Sequence, residues 1–322
     1  MSEPKTADIT TDKTTESSQK PLQRKPFDQL TIKDDYMFKS VMVSEERIKP
    51  LLEMVIGKKI RKIALIEKEK TVENGYNSRG IRMDVYIEDD EDTVYDVEMQ
   101  GINKRFFGRR FRYYQSSIDV DIVKRGESFG KLKKSFIIFI CDYDPFRKGW
   151  YVYPFERTCL WGSKIKIKDD THWYVLNIKG NKDAEGHKVN DKIKELLSFM
   201  NGNEPKSDYT RMLDAAVADI KRSDERRHEY MSISAQMNDR EEVGEYTKSV
   251  WIVRNNKRNL ADDVLADTIG IANSIIQSIR LVITNHPDWN DKDVAEEVLD
   301  MEAEEELKAM VESDDGDEDT IK

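Results

Sequence analysis

Cysteine and histidine are scarce in this chain. Its 322 residues include two cysteines, Cys141 and Cys159, too few for a disulfide framework or a cysteine-based zinc site. The four histidines, His172, His187, His228 and His286, stand far apart, without the HxxxH or HxH spacing of an imidazole metal site. No run of about 18 apolar residues occurs, and the N-terminus lacks the apolar core of a secretory leader. No membrane partner is therefore expected, and a reducing, cytoplasmic setting is the default.

Apolar residues make up only 38% of the chain and charged residues 36%, where an average globular chain has roughly 25% charged. The 29 aromatic residues (11 Phe, 5 Trp, 13 Tyr) nevertheless require a real core. A net charge of −10 would repel phosphate-rich partners, but the charge is unevenly spread. Residues 288–322 carry 16 acidic and 3 basic side chains, net −13, which leaves the remainder at +3. Residues 104–134 carry ten Lys or Arg against three Asp or Glu. The acidity is a property of the C-terminal end, and it does not exclude a nucleic-acid partner.

Residues 1–26 are polar and read as a disordered tail. Apolar patterning begins at Phe27, and Thr31 and Asp34 can cap a short helix through DDYMFKSVM. A second helix, RIKPLLEMVIG, stops at Gly57. The period then changes to two. Strands are expected at 61–69, 81–89 and 93–100, the first two joined by a polar loop containing Asn74-Gly75 and Arg79-Gly80. In 103–126, Phe107, Phe111, Tyr114, Ile118 and Ile122 recur at helical spacing. SFIIFIC (135–141) suits a strand buried on both faces, with further strands at 150–155 and 172–178. Helices follow at 193–200, 207–223 and 260–283, and a last one runs through DVAEEVLDMEAEEELKAM. The expected division is a domain over 27–190, a helical region over 191–311 and an acidic disordered tail over 312–322. Among the C-terminal helices no secure helix-turn-helix is legible, although the last two, broken at Pro287, have roughly that scale.

The informative stretch is IRMDVYIEDDEDTVYDVEMQ. Alternation puts Arg82, Asp84 and Tyr86 on one face of the first strand, and Asp96, Glu98 and Gln100 on one face of the next. If these faces coincide, Asp84 and Glu98 converge. Two adjacent carboxylates repel unless a hard cation such as Mg²⁺ or Mn²⁺ lies between them. The blander reading is that such an alternating acidic hairpin is the solvated side of a sheet, which is the commoner case on spacing alone. The helix that follows has Arg105, Arg109, Arg112 and Ser116 opposite its aromatic face. A carboxylate pair beside a basic helix suits phosphodiester chemistry, with the metal on the reacting phosphate and arginines on the flanking ones.

Asp84, then Glu98 in DVEMQ, then an RxxxY-type helix resembles the PD-(D/E)XK nuclease superfamily. More narrowly, the chain is similar to the Rpn-type recombination-promoting nucleases, also labelled PD-(D/E)XK nuclease family transposases. TIKDDYMFKSVM, RRFRYYQSSIDVDIVKRGESFGKLKKSFIIFICDYDPF and, more loosely, KRSDERRHEYM support it across about 27–231. The resemblance implies an α/β, restriction-endonuclease-like αβββαβ core with a mixed sheet, and Mg²⁺-dependent DNA cleavage. Asp84 would be the Asp of the PD element, with Met83 in place of its proline, and Glu98 the acidic member of (D/E)XK. Gln100 stands where the superfamily lysine usually stands, so it can orient a group but supplies no positive charge. Asp35 and Glu53 on the first two helices, with Asp96 beside Glu98, are the candidates for an additional acidic group near the metal. Arg105, Arg109 and Arg112 would bind backbone phosphates, and a homodimer would suit double-strand cleavage. The alternative is a catalytically inactive DNA-binding or interaction module that keeps the fold.

Overall fold

The computed structural model describes residues 24–73, 80–102 and 106–314, and gives 162–164 and 306–314 by backbone alone. The predicted N-terminal tail up to residue 23, the Asn74–Arg79 part of the loop, Arg105, and the acidic end from residue 315 lie outside the described residues. Two compact units are present: Lys25–Tyr230, and Arg24 with the residues from Met231 onward. The sheet-bearing unit thus extends past residue 190 to include two further helices.

That unit opens with α1 (Asp35–Met42) and α2 (Glu45–Ile56). Gly57 ends α2 in the left-handed region at φ 68°, its N–H donating to the Glu53 carbonyl, a conformation that favours a residue without Cβ. Asp34 occupies the cap position of α1, but its carboxylate turns back to accept from the Thr31 N–H and the Lys25 ammonium, both at 2.6 Å. The predicted cap therefore fastens the preceding turn instead of the helix.

Three strands follow: β1 (Ile63–Val72), β2 (Ile81–Asp89) and β3 (Val94–Gln100), antiparallel in succession. The helix α3 (Phe107–Ile122) carries the chain to β4 (Ser135–Cys141), parallel to β3. A parallel neighbour requires such a crossover. β5 (Val152–Phe155), the separate pair β6 (Thr158–Cys159) and β7 (Gly162–Lys166), and β8 (Thr171–Asn177) complete the strands. The main sheet has the order β1-β2-β3-β4-β8-β5. The α/β class, the mixed sheet and the αβββαβ order are those expected. Phe111 and Ile118 of α3 are buried in one cluster with Ile137, Phe139 and Val175 of the sheet, and Phe107, Tyr114 and Ile122 pack against it. The predicted aromatic stripe is thus a core face. α4 (Asp191–Met200) and α5 (Asp208–Arg222) close the unit, α5 with a Ser207–Thr210 capping box.

The C-terminal unit departs more from expectation. α6 (Asp224–Arg254) is a 31-residue helix that begins in the sheet-bearing unit. Its apolar side chains lack a sustained 3.6 period, which hid it in the sequence. The span 260–283, read as one helix, is α7 (Asp262–Ile269) and α8 (Asn273–Asn285). Gly270, at φ 81°, breaks it. α9 (Asp291–Asp314) runs three residues into the segment read as a disordered tail. Among the described residues, no helix is long and apolar enough to cross a membrane.

Candidate active site

Every residue of β3 is buried. The polar side of this strand is therefore not a solvated sheet face: Asp96 is 0%, Glu98 2% and Gln100 6% exposed. Burying ionisable groups is costly unless they are paired or ligate a cation, so the bland reading of the alternation fails on burial.

Strand register explains how the carboxylates meet. β2 and β3 pair from Glu88–Val94 to Val85–Val97. One step further, Asp84 stands opposite Glu98, and side chains replace main chain as hydrogen-bond partners. The Asp84 N–H donates to Glu98 Oε1 (2.8 Å), and the Met99 N–H donates to Asp84 Oδ2 (2.9 Å). On the other side, β1 pairs Lys68 with Val85 and Lys70 with Met83, which puts Glu69 opposite Asp84. Glu69 has φ 58°, an unusual conformation for a residue with a Cβ. Glu69, Asp84 and Glu98 thus form one row across three strands.

Two helices supply this row with positive charge, and neither contributor was named from the sequence. Lys39 of α1 is 2% exposed; its ammonium lies 2.6 Å from Asp35, 2.5 Å from Glu69 and 3.9 Å from Asp84 Oδ1. Burial alone would pull the Lys39 ammonium down, but Asp35, Glu69 and Asp84 together leave its pKa raised. Arg110 of α3 donates to Gln100 Oε1 (2.5 Å). Because arginine has only donors, it fixes the orientation of the Gln100 amide, whose Nε2 then donates to Glu98 Oε2 (3.2 Å). The Tyr114 hydroxyl donates to the same oxygen (3.2 Å). Gln100 is therefore a bridge between a guanidinium and a carboxylate. Arg110 was legible in principle, since it lies three residues after Phe107 and four before Tyr114, on the inward face. Lys39 was not, because residues 36–42 are all buried and their burial singles out no face.

These cations do not neutralise the cluster. Burial, then the neighbouring Glu98 charge, pushes the Asp84 carboxyl up to about 8. Glu98 is also raised well above its ordinary range, by burial and then by Asp96, against the Asp84 N–H, Arg110 and Tyr114. Asp96 is raised by burial and then by Asp84, against the Glu98 side chain and Arg110, and no donor reaches either of its oxygens while both it and Glu98 are ionised. Without a further cation, protons must stay on the cluster. The donor set fits a hard divalent ion: carboxylate oxygens, mutual repulsion and an orphaned anionic group beside the pair. Among the described residues, no group of three or more His, Cys, Asp or Glu is arranged to hold a metal. Mg²⁺ commonly takes only one or two carboxylates plus waters, so the Asp84–Glu98 pair is the relevant unit.

The other residues singled out from sequence fall elsewhere. Asp35 adjoins the cluster through Lys39 and helps raise Asp84. Glu53 does not join it: its carboxylate accepts from the Ile60 N–H (3.0 Å) and pairs with Lys59 (2.6 Å) at the end of α2. Arg109 and Arg112 lie on the exposed face of α3, and Arg109 sits over the Phe106 ring, 5.0 Å from its centre. Asp144, just before Pro145, accepts from the Phe146 and Gly149 N–H groups and so fastens a turn. A cleft lined by Lys58, Lys59, Arg61, Lys134, His172 and Tyr174 contains none of the carboxylate row.

The sequence model of the family described as PD-(D/E)XK nuclease family transposase matches residues 32–247. That span includes Asp35, Lys39, the whole row and Arg110. No curated protein and no solved structure matches the chain.

Proposed function

Because the chain belongs to the PD-(D/E)XK nuclease family transposases, we propose that it is a metal-dependent DNA endonuclease that hydrolyses phosphodiesters at the Asp84–Glu98 row. The observation that carries this reading is the buried, under-neutralised acidic face of β3, with Asp84 raised to about 8 and Asp96 and Glu98 raised well above their ordinary range side by side. A fold gains nothing structurally from such a cluster, whereas a hard-cation site requires one.

Asp84 and Glu98 would hold Mg²⁺, or Mn²⁺ in its place, with Asp96 adding negative charge behind them. When bound, the ion supplies a Lewis acid for the phosphate and lowers the pKa of water. Glu98 keeps its position through three donors: the Asp84 N–H, Gln100 and Tyr114. Asp84 Oδ2 is fixed by the Met99 N–H, which leaves Oδ1 facing Lys39. Gln100, with its oxygen on Arg110 and its nitrogen on Glu98, carries the guanidinium's influence to the carboxylate and so stands in part for a charge that glutamine lacks. Arg109 and Arg112 would grip flanking phosphates without reading bases, and their contribution would weaken with salt.

The test is plasmid nicking in Mg²⁺ by the wild-type chain and by Asp84→Ala and Glu98→Ala. Both variants should be inactive while still folded by circular dichroism. Nicking that survives unchanged in both would sink the proposal.

A further inference from the structure

The C-terminal unit contains an arrangement that the carboxylate site does not use. α7 and α8 are joined by only three residues, Gly270–Ala272. Gly270 takes φ 81°, and both its own N–H (2.8 Å) and that of Ile271 (3.1 Å) donate to the Ala266 carbonyl. Such a tight, glycine-dependent turn between a short helix and a longer one is the framework of a helix-turn-helix. The two helices share one core: Leu265 and Ala266 of α7 and Ile276, Ile279 and Val282 of α8 are buried together with Val250 and Val253 of α6 and Val294, Ala295 and Val298 of α9. The pair with the short glycine turn is thus one helix earlier than the Pro287-broken pair of roughly that scale in the sequence.

The outward side of α8 has a chemistry of its own. Asn273, Ser274, Gln277, Leu281 and Thr284 are exposed, and at 100° per residue they fall on one narrow face. In a unit whose other helices, α6, α7 and α9, are all rich in acid, α8 has no Asp or Glu. Its one arginine, Arg280, pairs with Asp262 of α7 at 2.7 Å, which offsets an acid at the start of the preceding helix. Lys257 and Arg258 are exposed just before α7. Residues 231–322 carry 23 Asp or Glu against 9 Lys or Arg, so the unit's charge opposes phosphate binding, phosphate contact falls to Lys257 and Arg258, and base contacts must supply affinity as well as selectivity. Carboxamides are the side chains that pair bidentately with adenine in the major groove, and an exposed leucine suits a thymine methyl.

We propose that α7 and α8 form a sequence-reading helix-turn-helix, with α8 entering the major groove of duplex DNA and Asn273 and Gln277 contacting adenines. This inference does not depend on the nuclease reading. It also makes α8 a recognition element for duplex DNA and not a docking surface for another protein.

The test is selection from randomised duplexes by the full-length chain in EDTA, which suppresses any metal-dependent cleavage. A motif containing adenines should be enriched. Asn273→Ala/Gln277→Ala, substitutions of exposed side chains that leave the melting transition in place, should abolish the enrichment and lower affinity for the selected site by at least about 30-fold. Lys257→Ala should weaken binding to all sequences alike and flatten the salt dependence. Asp84→Ala should leave the motif unchanged, so failure of the nuclease reading and failure of this one are distinguishable. Absence of any enriched motif, or an unchanged motif in the folded double variant, would overturn the proposal; the latter would assign selection to another surface.

Discussion

Two neighbouring acidic groups are treated in opposite ways. Asp142 directly follows β4, and its N–H donates to the Gln100 carbonyl (3.0 Å), so it adjoins the end of β3. Its carboxylate pairs with Lys33 (2.8 Å) and Lys179 (3.0 Å). Burial raises its pKa, but the two lysines outweigh that and leave the carboxyl below its ordinary range. Asp84, Asp96 and Glu98 are more deeply buried, and all three are raised. The first arrangement is balanced in charge as it stands and can only stabilise. The second is incomplete without a proton or a cation, and that incompleteness separates a candidate site from an ordinary ion pair.

The comparison can be broken by substitution. The largest effect should come from Glu98→Gln and Asp84→Asn, which keep size but remove charge. Cleavage should fall by at least about a hundredfold, while the metal-free protein should melt at a higher temperature than wild type because repulsion is relieved. A lower melting temperature in EDTA would mean that the acidic row is already balanced.

The next effect should come from Arg110→Met, which removes the donor on Gln100 and leaves that amide free to rotate. A roughly tenfold loss in kcat with little change in KM is expected for a positioning group acting through Gln100 and Glu98. A loss confined to KM would instead place Arg110 on the substrate.

Asp96→Asn should stabilise the metal-free chain near neutral pH by about 1–3 kcal/mol, since it removes a buried carboxyl that must take up a proton on folding. Thermal denaturation in EDTA with and without the substitution measures this. The pH dependence has a definite sign. Raised carboxyls stabilise the fold fully below their unfolded pKa of about 4, and that contribution is lost as pH rises through the folded value, about 8 for Asp84. In EDTA the site residues should therefore make stability fall between roughly pH 4 and pH 8, and saturating Mg²⁺ should flatten that fall. Stability in EDTA that rises across this window in wild type but not in Asp84→Asn would reverse the sign assigned to the row.

The smallest effect belongs to Asp142→Asn, about 0.5–1 kcal/mol of destabilisation near neutral pH for partly exposed ion pairs, with cleavage unchanged. Because its carboxyl is lowered, its contribution should vanish as pH falls below about 4, opposite to the row. Loss of cleavage in Asp142→Asn would erase the distinction between the two regions.

Much of this was legible because the informative patterns are local. Alternation in IRMDVYIED and VYDVEMQ located β2 and β3 and put Asp84 with Glu98, and the Phe107–Ile122 spacing located α3. Residues contributed by other elements were harder to see. Lys39 comes from a helix buried nearly throughout, so no polar face marks it, and its partner Glu69 lies on β1, where periodicity says nothing about register. Glu53 had the right type on the right helix, but Lys59 and the Ile60 N–H hold it elsewhere. α6 escaped notice because it lacks a sustained apolar stripe, and the α7–α8 break was hidden because Gly270 falls within an otherwise continuous helical pattern.

The reciprocal bonds between β2 and β3 have a spectroscopic consequence. The amide protons of Asp84 and Met99 are held by the carboxylates of Glu98 and Asp84 instead of by carbonyls of a partner strand. Their chemical shifts and solvent-exchange rates therefore depend on the charge those carboxylates carry. In a ¹⁵N-labelled chain, these two signals should move together during a titration with Mg²⁺ or acid, while the signals of Ile87 and Tyr95, a pair inside the regular ladder, move far less. The strand junction thus contains its own pair of magnetic reporters, able to register occupancy of the row with no DNA present and no bond cleaved.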